Sequence, residues 1–209
     1  MKKSAIFVLA IAMTLELAQG AILDQAQQSQ SGYGSVSFWG SSFVQTFTCG
    51  LSGLLDHIDL KVCGEYEYTD PGYPTTVAIL NTDNGTPILP TLGQLDNLIF
   101  EIGWNSIDFR SDSIFLTAGT QYGIMIANDD TTVHDVPTLN TYGILGCGVD
   151  FYPGGSQWKG DPGAWENEND WIWDTSKLPA DLCFRTYIVP EPATIFLLGL
   201  GAVMLGRKR

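Results

Sequence analysis

Apolar and polar side chains alternate in short runs along the chain from Tyr33 onward. In the clearest run, residues 57–62, Ile58, Leu60 and Val62 share one face and the polar residues share the other. Alternation with a period of two residues predicts half-buried β-strands. By the same pattern, further strands are predicted at residues 44–48, 76–80, 104–110, 113–117, 121–127, 141–151 and 181–189.

Turn-forming residues separate these runs, and no helical periodicity of useful length appears between the two ends of the chain. Asn84-Gly85 is a strong signal for a tight turn between two strands. About eight short strands without intervening helices predict an all-β fold, an antiparallel β-sandwich or jelly roll. A mixed fold is the alternative.

The N-terminal segment has the three parts of a secretory signal peptide. Lys2 and Lys3 precede an apolar run over residues 5–17, and Ala18-Gln19-Gly20 supplies small residues around a cleavage site. The apolar run is shorter than the ~20 residues that a membrane-spanning helix needs. We therefore predict an N-terminal signal helix that is removed after Gly20, with an uncleaved membrane anchor as the alternative.

Residues 21–32 are rich in glutamine and serine and contain little to bury. Such a composition is typical of flexible segments. The predicted organisation is a signal peptide at 1–20, a flexible leader at 21–32, a β-sandwich domain at 33–188 and a C-terminal signal at 189–209.

The C-terminal segment also has three parts. It begins with Val189-Pro190-Glu191-Pro192, continues with an apolar run over residues 193–206, and ends with Arg207-Lys208-Arg209. A helix over the apolar run would reach about 21 Å at ~1.5 Å per residue, against about 30 Å of bilayer hydrocarbon. This layout predicts a C-terminal hydrophobic helix that retains the chain transiently in the inner membrane, with its basic end in the cytoplasm.

This segment resembles the PEP-CTERM sorting signal of Gram-negative bacteria. The Pro-Glu-Pro element, the run Leu197-Leu198-Gly199-Leu200-Gly201 and the terminal basic cluster carry the resemblance. It implies that, besides signal peptidase, an exosortase-type enzyme processes the chain, at the Pro-Glu-Pro element. The protein would then be exported to the cell surface or extracellular matrix. An ordinary C-terminal anchor is the alternative.

Four other segments resemble a β-sandwich domain of secreted bacterial proteins with varied C-terminal anchors, the choice-of-anchor type. They are Gln45-Thr46-Phe47, residues 116–122, Tyr152-Pro153-Gly154-Gly155 and residues 181–187. The resemblance implies a sandwich over most of residues 33–189. It implies no activity, because the group has no shared catalytic residues that map onto this chain.

The segment from Ala21 to Val189 is strongly acidic. It contains five basic residues against 21 acidic ones, which gives a net charge of −16. A surface of that charge repels phosphate backbones and anionic membranes, which argues against nucleic-acid binding.

Four cysteines lie in the part of the chain that would be exported: Cys49, Cys63, Cys147 and Cys183. An even number in a secreted chain predicts two disulfides, and no close Cys-x-x-Cys pair indicates a zinc or redox site. In a closed sandwich the first long strand often lies antiparallel to the last. That arrangement would pair Cys63 with Cys183 and leave Cys49 for Cys147.

Candidate catalytic bases are few. His57 lies in an alternating strand and His134 in a polar loop, and we expect structural or solvent-exposed roles for both. The sequence lacks the motifs of serine hydrolases, zinc metalloproteases, phosphate-binding loops and dinucleotide-binding folds. We predict a non-catalytic protein. A carboxylate-based glycoside hydrolase is the alternative, although the abundance of acidic residues makes any pair of them uninformative.

Four of the six tryptophans lie close together among glycines and acidic residues: Trp158, Trp165, Trp171 and Trp173. Aromatic rings bind the apolar faces of sugars, and neighbouring carboxylates and amides fix the hydroxyl groups. These residues are candidate contacts for an exopolysaccharide. The alternative is that they pack a long loop against the sheet.

No cofactor is predicted, although two acidic clusters raise the question of calcium. They are Asp59, Glu65, Glu67 and Asp70 near a strand end, and Asp161, Glu166, Glu168 and Asp170 among the tryptophans. Oxygen ligands suit Ca²⁺. The regular spacing of a calcium-binding loop is missing, however, and acidic clusters are usually solvated surface.

The predicted function is that of an exported, non-catalytic surface or matrix protein that binds exopolysaccharide. A purely structural or adhesive role is the alternative.

Overall fold

The computed structural model describes residues 20–28, 42–63, 75–128, 143–144, 146–147, 152–160, 173–178 and 181–191. These ranges form strands and loops, apart from one 3₁₀ turn at Arg110–Asp112. They contain no apolar helix of the length needed to cross a bilayer. The predicted signal helix and C-terminal hydrophobic helix lie outside them.

Two antiparallel sheets form the fold. Sheet A is ordered β1 (Ile22–Gln27), β14 (Phe184–Pro190), β3 (Gly53–Cys63) and β6 (Gly103–Asp108), while β7 (Phe115–Leu116) and β9 (Gly143–Ile144) also pair with β3. Sheet B is ordered β12 (Trp173–Leu178), β11 (Gln157–Gly160), β2 (Ser42–Thr48), β8 (Gln121–Asn128), β4 (Thr75–Asp83) and β5 (Thr86–Leu98). A short pair consists of β10 (Gly146–Cys147) and β13 (Asp181–Leu182). The predicted all-β, antiparallel fold is confirmed.

The inner faces of the two sheets share one apolar core. Phe47 and Ile124 of sheet B and Ile58 and Phe184 of sheet A are fully buried in it. The rings of Phe47 and Phe184 lie 6.1 Å apart across the interface. Burying a side chain of this size stabilises the fold by about 1.5–3 kcal/mol, so alternation along the strands determines which face turns inward.

A second apolar cluster lies on the outer face of sheet B. Val44, Leu80 and Met125 are buried there together with Trp158. The central strands of sheet B, β2, β8 and β4, are therefore buried on both faces. The outer face of sheet A instead carries charged and aromatic side chains that are partly exposed.

Residues 22–27, which the sequence pattern places in a flexible leader, instead form the edge strand β1. Leu23 pairs with Tyr187 of β14, and the N–H of Gln25 donates to Oγ1 of Thr186 at 3.1 Å. The composition conceals this strand, because an edge strand is held largely by backbone hydrogen bonds to its one neighbour rather than by burial.

The hairpin of β4 and β5 contains both a confirmed and a missed prediction. Asn84 and Gly85 form the predicted tight turn, with φ values of 49° and 85°. The sequence pattern does not predict β5 itself, because Pro87 and Pro90 interrupt it. Proline cannot donate to a ladder, but β5 lies at the edge of sheet B, where one side of the strand needs no partner.

The segments that carry the choice-of-anchor resemblance meet at one corner between the sheets. Nε2 of buried Gln45 donates to Oδ1 of Asp181 at 3.1 Å, and the N–H of Tyr152 donates to Oδ2 of Asp181 at 2.7 Å. A Cβ on Gly155 would lie 1.7 Å from the carbonyl oxygen of Thr46, so only glycine fits there. These residues hold the fold together, since a buried carboxylate requires such partners.

Candidate functional site

The predicted sorting motif begins inside the last strand of sheet A. β14 ends at Pro190, which is buried and pairs with Gly53 of β3. Beyond the strand, the N–H of Glu191 donates to the carbonyl oxygen of Ser52 at 3.2 Å. The Pro-Glu-Pro element is therefore joined to the sandwich without a linker, and the rest of the segment, from Pro192, lies outside the described residues.

Gly53 allows β14 to approach β3 closely at this point. A Cβ on Gly53 would lie 2.2 Å from the carbonyl oxygen of Val189 and 2.8 Å from Cα of Pro190. Contacts that short require a shift of the backbone, so a side chain at position 53 would displace the start of the motif. The sequence analysis missed this role because the contact joins two segments that are far apart in the sequence.

The N-terminal strand lies beside the same end of β14. β1 and β14 are antiparallel, and Ile22 pairs with Ile188. The predicted signal-peptide cleavage point at Gly20 is two residues before this pair, and Glu191 is three residues after it. Both points where the sandwich would connect to membrane-directed segments are therefore at one end of sheet A.

The half-buried carboxyl group of Asp24 ties β1 to the loop between β2 and β3. Oδ1 of Asp24 accepts a hydrogen bond from the N–H of Gly50 at 3.0 Å. Burial raises the pKa of Asp24, and the hydrogen bonds from the backbone of Gly50 and Leu51 oppose that rise. This contact makes β1 part of the folded domain.

The thiol of Cys49 lies next to this carboxyl group. Its Sγ donates to the carbonyl oxygen of Leu51 at 3.0 Å. Burial, followed by the charge of Asp24, raises the pKa of Cys49 to about 12. Since the thiolate is the reactive form, Cys49 is an inert thiol at neutral pH.

The free thiol of Cys49 contradicts the predicted Cys49–Cys147 disulfide. The described residues contain no disulfide, and Cys49 is reduced. Cys147 pairs with Asp181 in the short β10–β13 ladder, and Asp181 contacts Gln45. Gln45 lies four residues from Cys49 along β2, about 13 Å at ~3.3 Å per residue. The ladder thus places Cys147 near Gln45 rather than near Cys49.

The strand arrangement on which the predicted Cys63–Cys183 bridge depends is present in the structure. β3 and β14 are antiparallel neighbours, and the N–H of Lys61 donates to the carbonyl oxygen of Cys183 at 3.1 Å. Cys63 is two residues from Lys61 and therefore on the same face of β3. The side chain of Cys63 lies outside the described part of the chain, so the Cys63–Cys183 bridge stays a prediction.

On the outer face of sheet A, His57 is held between an aromatic ring and two carboxylates. Its ring stacks on Tyr187 with centroids 4.1 Å apart and planes inclined by 13°. Nδ1 is 2.6 Å from Oδ2 of Asp56, and Nε2 is 3.9 Å from Oδ1 of Asp59. This arrangement orients and packs the imidazole. The other candidate base, His134, lies outside the described residues.

Two basic side chains meet at one indole ring on the same face. The guanidinium carbon of Arg185 is 3.9 Å from the ring centroid of Trp104, and Nζ of Lys61 is 5.7 Å from it. Nη1 of Arg185 is also 3.5 Å from Oδ2 of Asp59. Cation–π pairs at exposed sites contribute about 0.5–1 kcal/mol each. The result is an ordered surface of ring faces, cations and carboxylates.

The four predicted tryptophan contacts do not form one site in the described residues. Trp158 lies on β11, is 6% exposed, and packs with Val44 in the cluster on the outer face of sheet B. It is therefore a packing residue rather than a surface contact. Trp173 begins β12, opposite Gly160. Trp165 and Trp171 lie outside the described residues.

The acidic clusters considered for calcium fall mostly outside the described residues as well. Asp59 is described, and its carboxylate is engaged by Arg185. The other seven members lie outside: Glu65, Glu67, Asp70, Asp161, Glu166, Glu168 and Asp170. Across the described ranges, no three His, Cys, Asp or Glu side chains are placed to hold a metal ion.

Comparison with known proteins gives a specific match at the C-terminal end. The PEP-CTERM protein-sorting motif matches residues 189–209. No curated protein matches the chain. A solved structure, of the cysteine protease and lectin-like domains of Cwp84, a surface layer associated protein of Clostridium difficile, has 11% sequence identity and a TM-score of 0.44. That likeness covers 72% of this chain and 32% of the other chain, and at this TM-score it carries no argument.

The match covers all three parts of the segment that the sequence analysis singled out: the Pro-Glu-Pro element, the apolar run and the basic cluster. Its first residues are those that β14 holds against β3. Residues 189–209 are thus a PEP-CTERM protein-sorting motif, which directs the exported chain to the cell surface.

Proposed function

We propose that this chain is a non-catalytic protein of the cell surface or extracellular matrix, which an exosortase-type enzyme releases from transient retention in the inner membrane. The observation that carries the proposal is the sorting motif at residues 189–209. The motif supplies the destination, and the sandwich is the part that is delivered. An ordinary C-terminal anchor would keep the same sandwich in the membrane.

Processing at the Pro-Glu-Pro element requires an enzyme to reach residues that pair with β3. Pro190 pairs with Gly53, and the N–H of Glu191 is bonded to Ser52. The end of β14 must therefore separate from β3, or the enzyme must act before this pairing forms. Opening a strand end costs less free energy than global unfolding, so the folded sandwich is compatible with processing.

The C-terminus of the mature protein tests this proposal. We expect the intact mass of wild-type protein from its native host to lack the apolar run and the basic cluster. Glu191→Ala removes the central residue of the Pro-Glu-Pro element and should leave residues 193–209 attached. Glu101→Ala, at an exposed carboxylate outside the motif, serves as the matched control and should be processed as wild type. Wild-type protein that still ends at Arg209 would contradict the proposal.

Exopolysaccharide binding is a second proposal, and the outer face of sheet A supports it better than Trp158. Trp104 and Tyr187 supply partly exposed rings, and Arg185 and Lys61 supply hydrogen-bond donors beside them. The net charge of −16 on the domain repels polyanions, so these rings and hydrogen-bond donors favour a neutral polysaccharide. Trp165, Trp171 and Trp173 remain candidate contacts in this proposal.

Retention on immobilised dextran, a neutral polysaccharide, tests the second proposal. Trp104→Ala removes the ring over which both cations lie, so we expect affinity to fall about tenfold, which corresponds to ~1.4 kcal/mol. Phe115→Ala, at an exposed aromatic residue elsewhere on the sheet, should bind as wild type. Equal retention of the two variants, with unchanged melting temperatures, would contradict this role. We also expect no release of reducing ends, as befits a non-catalytic protein.

A further inference from the structure

Four apolar side chains form an exposed patch at the end of sheet A from which the sorting motif emerges. Leu23, Leu54 and Phe115 are 47%, 45% and 45% exposed, and Val189 is partly exposed. We refer to these four residues as the terminal apolar patch. Large apolar side chains grouped in this way mark contact surfaces more often than single exposed ones do.

The patch lies on the outer face of the sheet. Leu55, Leu116 and Ile188 are each adjacent in sequence to a patch residue, and all three are buried in the core between the sheets. Since successive residues of a strand point to opposite faces, the patch residues beside them point away from the core.

Strand pairing brings the four side chains together. Leu54 of β3 pairs with Phe115 of β7 on one side and with Val189 of β14 on the other. Leu23 of β1 pairs with Tyr187, two residues before Val189 on the same face of β14. Neighbouring strands are about 4.8 Å apart, so the patch is continuous across four strands.

The position of the chain ends indicates what this surface meets. Ile22 pairs with Ile188, so the predicted signal-peptide cleavage point and the sorting motif both adjoin the patch. The apolar run of the motif begins at Ala193, two residues after Glu191, and two residues reach at most ~7 Å. A bilayer that holds this run therefore lies against this end of the sandwich.

We propose that the terminal apolar patch is a membrane-contact surface, which rests in the headgroup region of a neutral bilayer while the C-terminal segment is retained. The proposal rests on the proposed function, from which it takes that retention. The domain has a net charge of −16 and carries the exposed Glu191 beside the patch. Anionic headgroups repel such a surface, so the contact is apolar and selects neutral lipid.

The chain offers a matched control at the far end of the same sheet. Ile99 and Ile102 are 62% and 68% exposed. They precede β6, whose first residue, Gly103, pairs with Val62 near the end of β3. Val62 is eight residues from Leu54, about 26 Å along β3 at ~3.3 Å per residue.

The experiment uses the full, unprocessed chain, reconstituted in phosphatidylcholine vesicles that contain a headgroup spin-labelled lipid. A fluorescent amino acid replaces either Thr117, next to the patch, or Glu101, next to the control isoleucines; both positions are exposed. We expect the spin-labelled lipid to quench the probe at position 117 and to leave the probe at position 101 unquenched. Equal quenching at the two positions overturns the proposal.

A tethered domain would bring position 117 near the membrane even without contact, so a second variant separates the two effects. Leu23→Ser with Leu54→Ser should reduce quenching at position 117 at least about twofold, since interfacial contact scales with apolar area. Ile99→Ser with Ile102→Ser should leave it unchanged. Replacing part of the phosphatidylcholine with phosphatidylglycerol should also reduce quenching at position 117, because anionic headgroups repel the acidic domain.

Two further outcomes of these measurements overturn the proposal. The first is undiminished quenching in the patch variant, which assigns the effect to the tether alone. The second is an unquenched probe in a chain that dimerises through the patch, which assigns the surface to a second copy. No processing enzyme is present in the vesicles, so failure here is distinct from failure of the sorting proposal, which the mature C-terminus tests.

Discussion

The carboxyl group of Asp24 shows how burial and hydrogen bonding compete at one residue. Burial raises its pKa, and hydrogen bonds from the backbone of Gly50 and Leu51 reduce the rise without cancelling it. A carboxyl group with a raised pKa is harder to ionise in the folded state than in the unfolded chain. Its contribution to stability is complete below the ordinary pKa of 3.8 and is lost as the pH rises through the folded value.

Asp24→Asn should therefore change how stability depends on pH. Asparagine keeps an oxygen that accepts from the N–H of Gly50, but it cannot ionise. We expect the free energy of unfolding of the variant, relative to wild type, to increase between about pH 3 and pH 7, as measured by urea unfolding. Asp83→Asn, at an exposed carboxylate, is the control. A variant-to-wild-type difference that stays constant with pH would show that burial of Asp24 has no such effect.

At the level of the strands, the pairing of β14 with β3 determines how accessible the sorting motif is. Gly53→Val would place its Cβ against the carbonyl oxygen of Val189, so we expect the end of β14 to separate from β3. Amide exchange at Glu191, whose N–H is bonded to Ser52, should then accelerate at least about tenfold. Hydrogen exchange measured by mass spectrometry checks this.

The neighbouring substitution Leu54→Val provides the control, because residue 54 faces outward and a β-branched side chain suits a strand. Exchange at Glu191 should not change in that variant. If amide exchange at Glu191 were as slow in Gly53→Val as in wild type, this glycine would not control the separation of the β14 end from β3.

Which strands could be predicted from the sequence follows from where they lie in the sheets. β3 and β8 are flanked by partners and bury one face or both, so their apolar residues recur in a readable pattern. The edge strands β1 and β5 are rich in glutamine or interrupted by proline, and each depends on a single neighbour. Their strand character comes from that neighbour, which local sequence does not reveal.

The same distinction applies to the candidate site. The Pro-Glu-Pro element, the apolar run and the basic cluster are each local, so the sorting motif can be recognised from sequence alone. Its docking on Gly53 and the exposed patch around Leu54 depend on strand pairing between distant segments. The packing of Trp158 is likewise set by the register of β11 on β2, opposite Val44.

Over the whole molecule, net charge opposes the compact state. The domain has a net charge of −16 between Ala21 and Val189, and like charges repel more strongly when folding brings them together. Salt screens that repulsion, with a Debye length of about 8 Å at 0.15 M. We expect the melting temperature to rise between 10 mM and 150 mM NaCl, by ~3 °C for each kcal/mol gained.

Ion pairs act in the opposite direction. Salt weakens favourable contacts such as Arg185 with Asp59 and Arg110 with Asp108, although exposed pairs contribute little. Scanning calorimetry in NaCl, with choline chloride as a second salt, separates general screening from binding of sodium. A melting temperature that falls with salt would show that ion pairs outweigh the repulsion.

Because β1 and β14 are neighbours, their positions affect how several copies of the domain would be oriented on a common surface. If both end segments are removed as proposed, the two new termini lie at the same end of sheet A. Copies attached to a flat support through this end would all have the same orientation. Each would turn the opposite pole, with Ile99 and Ile102, toward the outside. A coat built in this way would present a single repeating face to whatever approaches the cell.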